Sequence, residues 1–172
     1  MRAGFAVRLG ALDDAIAGVV GQVAVIGPGA LQPDASGRWG PLAIVEHLVL
    51  VHEGSAAVLK GTGPVLPGGR RSSWWRPFLM SAVLHSRIRV RAPTARVLPS
   101  ADPVPLPVLT KRWQEAQGQL WQAVSHKGDL WGDGLVFRHP LAGWLDVAGT
   151  LQFLIDHIGH HEGRLTEILI TE

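Results

Sequence analysis

The spacing of apolar residues near the C-terminal end constrains the fold of this chain most. From Val147, the positions Leu151, Leu154, Ile158, His161, Leu165 and Ile168 advance in alternating steps of four and three. That is the period of one buried face of an α-helix. A histidine therefore occupies a core register. The same stretch reads His157-Ile158-Gly159-His160-His161, so His157 and His161 stand one turn apart on one face and can aim two imidazoles at one point. Helices hold metal ions in this way.

The same spacing recurs upstream. Phe5, Leu9, Leu12, Ile16, Val19, Val23 and Ile26 predict a first helix ending at Gly27-Pro28-Gly29. Trp39-Gly40-Pro41, with proline suited to a first helical turn, opens a second from about Leu42 to Lys60. Ser72 or Ser73 caps a shorter helix through Trp74, Phe78 and His85. Pro93, Pro99, Pro103, Pro105 and Pro107 forbid a continuous helix between Ala92 and Val108 and favour an extended connection. Leu109, Trp113, Ala116, Leu120 and Ala123 predict a third long helix with Gly128 as its stop. A loop through Gly132, Gly134, His139-Pro140 and Gly143 leads to Asp146, the expected N-cap of the fourth. Four amphipathic helices, with a long crossover between the second and third carrying the short extra helix, predict an all-α four-helix bundle. The 172 residues are expected to form one domain.

Composition removes several function classes. There is no cysteine, hence no disulfide framework, no Cys-ligated zinc and no cysteine nucleophile; any metal must rely on histidine and carboxylate. A formal charge of +2 is too small to argue for a nucleic-acid partner. Arg70, Arg71, Arg76, Arg87, Arg89, Arg91 and Arg96, with Trp74 and Trp75, do make the crossover locally basic and aromatic, but a solvated surface, a substrate mouth or a dimer contact accounts for them better. Asp13 and Asp14 interrupt the apolar N-terminal stretch, which reads as mature protein rather than as a signal peptide. Leu42 to Leu59 carries Glu46, His47, His52 and Glu53 and falls short of the roughly 20 apolar residues that span a bilayer. A cytoplasmic protein with no membrane partner is the expectation.

A third ligand for His157 and His161 has to come from another helix. The second helix offers His47 and His52, both at the edges of a face formed by Ile44, Leu48, Val51, Ser55 and Val58, opposite a charged stripe of Glu46, Glu53 and Lys60. His47 lies nearer the centre of that face by only about 20°, so periodicity leaves the choice open. His160 shares its spacing with Asp156, Arg164 and Glu167 and is expected on the solvated face. Asp156 and Glu162 are candidates to orient a ligand imidazole. His85, His126 and His139 fall at predicted termini or loops and are expected to be structural; His126 suits the negative end of the third helix.

Trp39-Gly40-Pro41-Leu42 leading to Glu46-His47-Leu48, then His139-Pro140-Leu141 with Gly143 followed by His157 to His161, resemble the DinB-like (YfiT-like) superfamily over nearly the whole chain. The resemblance implies a four-helix bundle of up-down-down-up topology, often dimeric. It also implies a divalent metal held by a histidine of the second helix and a His-x-x-x-His pair of the fourth. By position these are His47, His157 and His161, so the resemblance selects His47 over His52. Arg164 departs from the pattern, since many relatives carry glutamine there.

Three neutral imidazoles with open positions suit zinc, nickel, manganese or iron. Such a metal lowers the pKa of a bound thiol or water. Because some members of the superfamily are thought to act on low-molecular-weight thiols, the resemblance points to a metal-dependent S-transferase using a thiol of the bacillithiol or mycothiol type with a small-molecule substrate. A metal-dependent hydrolase and a non-enzymatic metal-binding, stress-related or interaction module are the alternatives.

Overall fold

The computed structural model describes residues 1–26, 39–61, 97–132, 134–139 and 143–171. The Gly27-Pro28-Gly29 stop, the short helix expected through Trp74, Phe78 and His85, the arginine-rich stretch from Arg70 to Arg96 and the Pro140-Leu141 pair lie outside those residues. Among the described residues the chain is helical, with helices Ala3–Ala24 (α1), Pro41–Lys60 (α2), Leu106–Trp131 (α3) and Val147–Thr171 (α4) and a short antiparallel strand pair.

The apolar seams of α1 and α4 meet, and α2 packs mainly on α3. Phe5, Leu9, Leu12, Ile16, Val19 and Val23 of α1 are all buried, as their spacing predicts. In α4, Leu151, Leu154, Ile158 and Leu165 fill the same core with His161 in register among them. Pro41 sits in the first turn of α2, where its missing N–H has no helical partner to lose. By length and composition alone α2 could cross a membrane, yet 61% of its most apolar window is buried inside the protein, as in a core helix.

Three expectations are corrected. Pro107 does not precede the third helix but lies in its first turn, behind Pro105 as N-cap. Gly128 does not stop that helix either. It is buried within α3, where a Cβ would come within 3.2 Å of the Phe5 ring, so glycine serves a close approach between α1 and α3. The helix ends instead at Gly132, whose φ of 55° favours glycine. The expected loop before α4 contains strands Phe137–His139 (β1) and Gly143–Leu145 (β2), paired Phe137 to Leu145 and His139 to Gly143. Three-residue strands are too short to carry an alternating signal. Asp146 caps α4 as expected, its Oδ1 accepting the Gly149 N–H at 2.7 Å.

Candidate metal centre

α2 and α4 bring His47, His157 and His161 together. Each offers a ring nitrogen within 4.8 Å of the others. The periodicity of α4 accounts for the pair: His161 occupies a seam position and is 5% exposed, while His157, one turn earlier, stands half-buried beside it. On α2, the buried face of Ile44, Leu48 and Ser55 turns His47 inward. Nε2 of His47 lies 3.3 Å from Nε2 of His157. Two imidazoles on one metal, at bonds of about 2.0–2.1 Å and a near-tetrahedral angle, place their nitrogens at about this separation.

The backbone fixes one of these rings. Nδ1 of His47 is 2.6 Å from the Val97 carbonyl oxygen. A carbonyl only accepts, so Nδ1 carries the proton and, in the neutral ring, Nε2 keeps its lone pair for a metal. The chain just beyond that carbonyl is bonded to α2 as well. Ser100, three residues on, donates its N–H to Glu46 Oε2 at 3.1 Å and its hydroxyl to the same carboxylate at 2.7 Å. His161 lacks such a lock, since its Nδ1 is buried without a hydrogen-bond partner among the described residues.

Burial holds all three imidazoles neutral. Desolvation depresses His47 below its usual value, against the raising effect of the Val97 carbonyl. It drives His157 and His161 well below theirs, and the neighbouring histidines and Arg164 add to the effect. Neutral rings are the form that ligates metals, so protons compete little at neutral pH. Aromatic walls close in around them. Phe153 stacks on His157 with ring centroids 5.4 Å apart, and Trp39 lies 5.0 Å from His47. The donor set, three mutually close neutral nitrogens without a thiolate, fits a borderline divalent cation.

The remaining candidates fall elsewhere. His52 is 1% exposed and bonds Gln117 Oε1 of α3 through Nε2 at 2.9 Å, away from the triad. His160 is half-buried rather than solvated, with its ring 5.2 Å from His161. Asp156 accepts the Gln152 amide at 2.9 Å, and Glu162 lies against Gly18 of α1. His126 is exposed and bonds the Gln122 carbonyl within its own helix. His85 lies outside the described residues.

Sequence reasoning missed three neighbours of the site. His139, expected as a structural residue of a loop, is buried at the end of β1 with its ring 4.4 Å from Phe153. Glu46, expected on the charged stripe, is 6% exposed. Its position directly before His47 was the available signal. The Val97 carbonyl had none, because a backbone group leaves no trace in residue identity. With this geometry in place, the chain matches no protein-family model, no curated protein and no solved structure at a significant level.

Proposed function

We propose that this chain is a DinB-like, up-down-down-up four-helix bundle, cytoplasmic and dimeric, that binds a divalent metal through His47, His157 and His161. Its activity in this reading is transfer chemistry with a low-molecular-weight thiol of the bacillithiol or mycothiol type. One observation carries the proposal: three buried or half-buried histidines from two helices, 110 residues apart in sequence, converge their ring nitrogens within 4.8 Å with no carboxylate among them. Burial of polar rings, with His161 Nδ1 lacking a hydrogen-bond partner among the described residues, costs stability unless something is gained by it. The pairing of α1 with α4 and of α2 with α3 supports the topology.

A bound zinc, nickel, manganese or iron ion would act as a Lewis acid, making a thiol ionise near neutral pH. The protein's own contribution is to hold three ligand nitrogens neutral and convergent, with Val97 fixing the tautomer of His47 and Trp39 and Phe153 limiting water beside the rings. In transfer, the thiol sulfur forms the new bond to an electrophilic carbon, the leaving group departs with its electron pair, and the thiol proton passes to solvent.

Metal-loaded protein incubated with bacillithiol or mycothiol and an activated aryl halide tests this proposal. Metal-dependent loss of free thiol with formation of the thioether is expected, abolished by His157→Ala. A metal-loaded, folded protein that neither binds nor conjugates any such thiol overturns the transferase reading.

A further inference from the structure

Adjacent residues of α2 grip one short segment of the crossover. His47 holds the Val97 carbonyl at 2.6 Å, and Glu46 takes both the N–H and the hydroxyl of Ser100. Glu46 is 6% exposed although Ser100 itself is at the surface. A carboxylate removed from water is destabilised unless its oxygens are hydrogen-bonded, so the interaction is directional and stiff. Beyond the 3₁₀ position at Val97, the segment to Ser100 is irregular chain that includes Pro99, so no helix or strand ladder holds it there.

We propose that Glu46 is a positioning residue for the metal centre. Through Ser100 it clamps the crossover so that the Val97 carbonyl stays on Nδ1 of His47, and it thereby sets the His47 tautomer and the metal affinity. This rests on the proposed metal site for its affinity arm only; the tautomer arm is a property of the metal-free protein. Glu46 touches neither the ligand nitrogens nor a substrate, and acts at one remove, through the backbone. An isolated His47 in water populates both neutral tautomers, only one of which leaves Nε2 free. Outer-sphere partners of this kind change metal affinity about 10–100-fold when removed.

The test compares wild type, Glu46→Gln and Ser100→Ala, all full length. Two-bond ¹H–¹⁵N correlation spectra of metal-free protein report which nitrogen of His47 carries the proton. Chelator competition then gives the zinc dissociation constant. Wild type is expected to show the Nδ1–H tautomer alone, whereas both variants show a mixture. Zinc binding weakens about 10–100-fold in Glu46→Gln. It weakens less in Ser100→Ala, where the backbone N–H bond remains. Should Glu46→Gln fail to fold, Ser100→Ala, at an exposed position, decides alone. Variants that retain both the wild-type tautomer and the wild-type zinc affinity overturn the clamp. If wild type takes up no zinc but the variants still scramble the tautomer, the clamp stands and the metal-site proposal falls.

Discussion

Gln117 of α3 lies 2.9 Å from Nε2 of His52, and its amide reaches on to Asp13 Oδ1 at 2.8 Å and the Leu9 carbonyl at 3.2 Å. Trp121 closes the chain on Asp13 Oδ2 at 3.1 Å. The two histidines of α2 are thus separated by their partners. His52 is tied into a network that is buried at Gln117 and reaches the surface at Asp13, joining α1, α2 and α3, while His47 faces α4.

That network makes stability pH-dependent. Burial pushes His52 down to about 4, against the raising effects of Gln117, Asp13 and Glu53. Since the folded value lies below the unfolded value of about 6.5, the unfolded state binds the proton more readily. The contribution of a neutral His52 is complete above pH 6.5 and is lost as the pH falls toward 4. At pH 4.5, wild type should have lost about 2 kcal/mol more stability than His52→Gln, relative to pH 7, by urea unfolding. Equal losses in the two proteins contradict the assignment. His139, pushed to about 4 by burial alone, adds to the acid sensitivity of both.

Two glycines of α3 respond in opposite directions. Gly118 is exposed, with open space where a Cβ would go, so Gly118→Ala should raise stability by roughly 0.5–1 kcal/mol through helix propensity. Gly128 faces Phe5 at 3.2 Å, and Gly128→Val should lower it by about 1–3 kcal/mol through overpacking. Thermal unfolding of the pair checks both signs.

These glycines show where the sequence was legible. The seams of α1 and α4 could be read because burial on one face imposes a period that residue identity records; on α2 the expected face failed at Val58, which is 40% exposed, and at Glu46, which is buried. Gly128 was misread as a stop because a glycine that admits a neighbouring ring looks the same in sequence as one that ends a helix. Two members of the histidine cluster followed from the spacing of His157 and His161. His47 and His52 could not be separated by angle, since the choice depends on what α3 and α4 each present to α2. The Val97 carbonyl and the burial of Glu46 depend on the path of the crossover, which no periodicity describes.

Asp146 should prove important for α4 beyond its own bond. Asp146→Ala removes the acceptor of the Gly149 N–H and should cost about 1 kcal/mol, whereas Asp146→Asn, which keeps an acceptor oxygen, should recover most of it. Chemical denaturation of the three proteins measures this directly. An alanine variant as stable as wild type removes the capping role.

The central claim is that three histidines of α2 and α4 form one metal centre. Its most direct test is metal content by mass spectrometry on dialysed protein after reconstitution with zinc, nickel, manganese or iron. Wild type and His52→Gln should each hold about one ion per chain, and His47→Ala, His157→Ala and His161→Ala should lose it while remaining folded. A folded wild type that retains none of the four metals, or alanine variants that all retain the ion, would contradict the account.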